Sequence, residues 1–77
     1  MTRAIIIDDE KDSRDAINNM LINYCQNIEV VGQAGDVKAG ISVISEEKPD
    51  VVFLDIRMPD GTGFDLLEQL PKSHFDS

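Results

Sequence analysis

The segment Val51-Val52-Phe53-Leu54-Asp55 constrains this chain more than any other. Four apolar residues, two of them β-branched and one aromatic, run without a polar break into a carboxylate. Such a run suits a strand buried on both faces, as in a parallel sheet covered by helices. Asp55 then stands at the carboxyl end of the strand, where open α/β sheets place their chemistry. Behind it, Pro59 and Gly61 turn the chain sharply, because proline fixes φ and glycine accepts positive φ.

A second apolar run, Arg3-Ala4-Ile5-Ile6-Ile7, also ends in carboxylates, Asp8-Asp9-Glu10, and reads as strand one. Asp12 or Ser13 is expected to cap the following helix, with Asp15 in its first turn. Ile17, Met20, Leu21 and Tyr24 give that helix an apolar face, with Tyr24 assigned to the core. Ile28 to Ala34 is strand two, and Glu29 marks it as an edge. Asp36 starts the second helix, striped by Val37, Ile41, Val43 and Ile44, and Pro49 marks its end. After strand three, Phe64, Leu67 and Leu70 recur every three residues, predicting a short helix from Gly63 to Leu70 that stops at Pro71. The tail from Lys72 has no period, and its His74 is expected to be exposed. Cys25 is expected to be a half-buried structural thiol, since a lone cysteine forms no internal disulfide.

The order is β-α-β-α-β-α, which implies parallel pairing through right-handed crossovers. Three strands leave both sheet edges open, and a bare apolar edge invites another chain. Seventy-seven residues make one small domain at most. A net charge of −8 disfavours direct nucleic-acid binding and makes a divalent cation or a basic partner plausible. No stretch approaches the roughly 20 apolar residues of a membrane span, and the chain reads as a cytoplasmic protein.

If strands one and three are neighbours, Asp8, Asp9 and Asp55 converge at the carboxyl edge of the sheet. Two like charges about 4 Å apart repel by roughly 4 kcal/mol at an effective dielectric near 20. Three carboxylates therefore tolerate one another only if some protonate or a cation neutralises them. An oxygen-only set suits a hard ion, and a sparse one leaves room for waters and a phosphate, as Mg2+ prefers. Simple strand-end solvation explains the double aspartate alone, but not its match with Asp55. An EF-hand fails, because Arg57, Pro59 and Asp60 stand where ligand, ligand and glycine belong. Gly61-Thr62-Gly63 lacks the Lys-Ser/Thr of a phosphate loop.

Asp8-Asp9 after strand one, Asp55 after Val51-Val52-Phe53-Leu54, and Met58-Pro59-Asp60-Gly61 together resemble the receiver domain of two-component response regulators. The segments Leu54 to Gly61 and Phe64-Asp65-Leu66-Leu67 are most similar to receivers attached to DNA-binding domains of the LytTR type. The resemblance implies a flavodoxin-like (CheY-like) sheet of order 2-1-3-4-5, of which strands 2-1-3 are present here. It implies that Asp55 accepts a phosphoryl group from a histidine kinase. Asp9 and Asp55 would ligate Mg2+, with Asp8 helping directly or through water and the Arg57 backbone carbonyl completing the protein set. The family's Ser or Thr after strand four and Lys after strand five have no counterpart, so the chain is expected to be a receiver truncated after its third βα unit. Its output domain, a regulator of transcription, would be missing too. A reading of another class is a non-switching interaction fragment that self-associates through the open strand-three edge. A phosphohydrolase needs a second acid two residues beyond Asp55, where Arg57 stands.

Overall fold

The computed structural model describes residues 1–70. The expected stop at Pro71 and the exposure of His74 lie outside them. Three parallel strands form the main sheet: β1 (Thr2–Ile7), β2 (Ile28–Ala34) and β3 (Val51–Leu54), in the order β2-β1-β3. The helices are α1 (Lys11–Tyr24), α2 (Val37–Glu47) and α3 (Gly63–Gln69), and a two-stranded hairpin, β4 (Arg57–Met58) with β5 (Gly61–Thr62), joins β3 to α3. The chain steps from β1 to β2 on one side and then from β2 across β1 to β3 on the other. Right-handed crossovers in opposite directions put α1 and α2 on opposite faces of the sheet.

Central position explains the burial of β1, whose Ala4, Ile5, Ile6 and Ile7 are wholly withdrawn from solvent. Successive side chains alternate between faces. Ile5 and Ile7 join Ala34, Val37, Ile44, Met58, Leu66 and Leu70 in one core under α2 and α3. Ala4 and Ile6 face the other way, toward α1 and its one buried residue, Leu21. Gly40 admits a close approach of α2 to α3 and β1: a Cβ there would lie 2.7 Å from Leu66 Cδ1 and 2.9 Å from Ile7 Cδ1. At the amino end of the sheet, Arg3 pairs with Glu47 at the end of α2, and its N–H donates to the Asp50 carboxylate.

The strand order, the edge position of β2 and the cap of α2 agree with the sequence. Asp36 Oδ1 accepts from the Ala39 N–H at 2.7 Å. Cys25 is half-buried at the end of α1. Four expectations need correction. First, β3 is not buried on both faces: Val51 is exposed and Val52, Phe53 and Leu54 are half-buried, because among the described residues the strand has a neighbour on one side only. Second, α1 begins at Lys11 rather than after Asp12 or Ser13. The Glu10 N–H is held by Asp8 Oδ1 and the Glu10 carbonyl accepts from Arg14, which starts the helix early; Asp15 pairs instead with Lys11.

Third, Tyr24 is 81% exposed and Met20 is exposed as well, since a narrow sheet covers only the stripe through Leu21. Fourth, α3 turns Leu66 and Leu70 inward and leaves Phe64 and Leu67 exposed. The Thr62–Asp65 capping box fixes where this helix starts and so which residues face in. Among the described residues, no helix is long and apolar enough to cross a membrane.

The face of α3 is open to a direct check. Leu66→Ala should cost about 2–5 kcal/mol in urea unfolding, whereas Phe64→Ala should stay within about 0.5 kcal/mol. The reverse ranking would restore the periodicity reading.

Candidate functional site

Parallel register brings the acidic residues together. Ile7 pairs with Leu54, so Asp8 and Asp55 are the next residues on adjacent strands. The Asp55 N–H donates to the Ile7 carbonyl at 2.8 Å, and the Asp8 N–H donates to the Ala34 carbonyl at 3.0 Å. Both carboxylates therefore leave backbones braced by a neighbouring strand, Asp55 by β1 and Asp8 by β2. Asp8, Asp9 and Asp55 each offer a carboxylate oxygen, and these atoms all lie within 4.8 Å of one another. Among the described residues, no ion pair reaches any of the three. An all-oxygen, uncompensated donor set of this size fits a hard divalent cation.

The electrostatic strain falls on Asp9. Partial withdrawal from water, and then the Asp55 and Asp8 carboxylates, hold its carboxyl above the ordinary carboxylate range, although the residue itself is exposed. Arg57, the fourth predicted site residue, opens β4 opposite Thr62 with its side chain exposed, two residues beyond Asp55.

Four residues to which sequence reasoning gave no part in the site frame the cluster. Arg14 reaches back from α1 to donate to the Asp8 carbonyl. Gly35 leaves it room, since a Cβ there would sit 3.2 Å from Arg14 Nη1. Gly63 packs directly under the loop: its N–H donates to the Ile56 carbonyl at 2.7 Å, and a Cβ would lie 2.8 Å from the Asp55 carbonyl oxygen. Asp60, at the tip of the hairpin, accepts from the Val37 and Lys38 N–H groups, and the first of these bonds holds its carboxyl below the ordinary range despite an opposing contribution from burial. The turn motif Met58-Pro59-Asp60-Gly61 and the glycine after it were visible in the sequence, but their contacts were not. The partners lie far away in sequence.

The raised Asp9 carboxyl has a defined sign. A carboxyl whose folded-state pKa exceeds the unfolded value contributes stability below that value and loses it as pH rises through the folded one. Asp9→Asn should therefore raise the thermal midpoint at pH 7 in the absence of divalent cations. The gain should shrink toward zero near pH 4, close to the ordinary value of 3.8. A gain independent of pH would mean that charge is not the cause.

The response regulator receiver domain family matches residues 4–77. An uncharacterised response regulatory protein of Vibrio cholerae is 46% identical over 70 residues, which are 91% of this chain and 29% of that protein. The sensory transduction protein LytT of Bacillus anthracis is 33% identical over 72 residues, covering 94% of this chain and 29% of LytT. The chain thus spans less than a third of the length of these relatives. In structure it is similar to the response regulator domain of Thermotoga maritima CheB, with a TM-score of 0.82 at 29% identity, over 88% of this chain and 50% of that one. With a sheet of order β2-β1-β3 and aspartates gathered at its carboxyl edge, the chain belongs to the receiver-domain family of two-component response regulators.

Proposed function

We propose that Asp55 is the phosphoryl acceptor of a two-component pathway and takes its phosphoryl group from a histidine kinase in the cytoplasm. The meeting of three carboxylate oxygens within 4.8 Å carries this reading. A carboxylate oxygen of Asp55 attacks the phosphorus of a phosphohistidine. The new O–P bond forms as the P–N bond breaks, and the imidazole nitrogen keeps the electron pair and is protonated from solvent. Backbone bonds from Asp55 to Ile7 of β1 and from Asp8 to Ala34 of β2 hold both residues so that the acceptor meets the phosphorus from a fixed direction.

Asp9 and Asp55 would hold Mg2+ through their carboxylates, with Asp8 directly or through water and Arg57 through its backbone carbonyl. Bound there, Mg2+ screens the charge of the incoming phosphoryl group. The chemistry ends as an acyl phosphate on the protein, so the role is that of a regulated acceptor rather than an enzyme. Residues 1–77 form the amino-terminal part of a single receiver in this reading. Strands four and five and an output domain that regulates transcription belong to a longer protein. Similarity to LytT, a sensory transduction protein, supports a signalling role, and the charge of −8 argues against DNA contact by this segment.

The β3 edge, open among the described residues, favours a second reading, an interaction fragment that assembles with itself. A hollow of about 430 Å³ lies beside that edge, lined by Ile44, Val51, Val52, Leu54, Leu66 and Leu67. Unpaired backbone groups next to apolar surface are a template for another strand. On sedimentation the chain should run as a dimer or larger, and Asp55→Asn should leave that state unchanged. A monodisperse, folded monomer would remove this reading.

Incubation with acetyl phosphate and Mg2+, followed by intact mass, tests the leading proposal. One hydroxylamine-labile phosphoryl group should be gained by the wild type and not by Asp55→Asn. A folded chain that gains none would reject Asp55 as a competent acceptor in this form.

A further inference from the structure

Asp60 lies at the tip of the β4–β5 hairpin, in the two-residue loop between Met58 and Gly61. Both of its carboxylate oxygens are used on a helix that begins 23 residues earlier: Oδ1 accepts from the Val37 N–H at 2.8 Å and Oδ2 from the Lys38 N–H at 3.1 Å. Asp36 already caps the same helix through the Ala39 N–H. The first turn of α2 is thus shared by one carboxylate of its own and one from the segment after the acceptor. The four amino-terminal N–H groups of a helix lack partners within it, so such a bond is strong and directional.

The hairpin has little freedom elsewhere. Met58 is buried in the core beside α2 and α3. Gly61 adopts φ +153°, and a Cβ there would lie 3.0 Å from Asp65 Oδ2 and 3.3 Å from Val37 Cγ2. Gly63 closes the far end of the loop onto the Ile56 carbonyl. Arg57 lies between that closure and the Asp60 clamp, so its main chain is fixed from both sides.

We propose that Asp60 is a positioning residue: by clamping the hairpin to the first turn of α2 it fixes the Arg57 backbone carbonyl that would complete the Mg2+ ligand set. This inference rests on the reading of Asp55 as the acceptor and of Arg57 as a backbone ligand. Asp36 supplies the control, because it caps the same helix without belonging to the hairpin. A residue that only stabilises α2 should behave as Asp36 does.

Calorimetric titration of the protein with Mg2+ tests this directly, with thermal unfolding of each variant alongside. Groups that orient metal ligands typically govern affinity by roughly 10–100-fold, so Asp60→Ala should weaken Mg2+ binding by about tenfold. Asp36→Ala should lower the thermal midpoint but keep the affinity within about twofold of wild type. Asp60→Asn keeps one acceptor oxygen and should fall between wild type and Asp60→Ala; if the alanine variant does not fold, it is read in its place. Equal affinities for the Asp60 and Asp36 variants, with wild type binding normally, overturn the inference alone. A wild-type chain that binds no Mg2+ overturns the reading of the site and this inference together.

Discussion

The pairing of β1 with β3 is the constraint on which everything else in this protein depends. Its register sets Ile7 opposite Leu54, and the next residue on each strand is an aspartate. Parallel pairing points both carboxylates toward the same sheet edge, where an antiparallel pair would have sent them to opposite ends. Ala4 to Ile7 are wholly buried and Asp8 follows at once, so a slip of one residue would carry a carboxylate into the core or an isoleucine out of it, and the register is expensive to change. The packing of the isoleucines and the crowding of the aspartates therefore have one origin.

Repulsion among those aspartates is local, and the attractions that offset it are spread through the fold. Asp9 carries the strain, held above its ordinary titration range by limited solvation and by its neighbours. Against this stand the backbone bonds from Asp55 to Ile7 and from Asp8 to Ala34, and the reach of Arg14 to the Asp8 carbonyl. None of these relieves the charge; they hold the charged groups in place. Such an arrangement is poised to gain from a cation and gains nothing from being left alone.

Much of the architecture was legible in the sequence because two apolar runs ending in aspartate are unambiguous. The edge position of β2 and the cap by Asp36 followed from residue type and spacing, whereas the strand order, and with it the convergence of Asp8, Asp9 and Asp55, followed from the resemblance to receiver domains. What failed was burial that depends on a neighbour. Val51 reads as core, but a strand with one partner leaves its outer flank bare. Tyr24 and Phe64 fit a helical stripe by spacing, yet the narrow sheet under α1 and the capping box of α3 decide which side is covered. The hairpin and the Asp60 clamp were illegible for a different reason. A turn signal shows where the chain bends, not which distant N–H groups the bent segment will meet.

The distance along the chain between Asp9 and Asp55 has a thermodynamic consequence. Nothing local brings them together, so the unfolded chain presents two separated weak ligands and the native chain presents one site. Any cation that prefers the assembled trio thereby draws the population toward the native state. A site occupied at a hundredfold excess over its dissociation constant adds about 2.7 kcal/mol to the stability of the fold. For a domain whose total stability is expected to be about 4–11 kcal/mol, that is a large share. The ionic composition of the solution then acts as a folding variable, and a titration of the acidic trio is at the same time a titration of the native state.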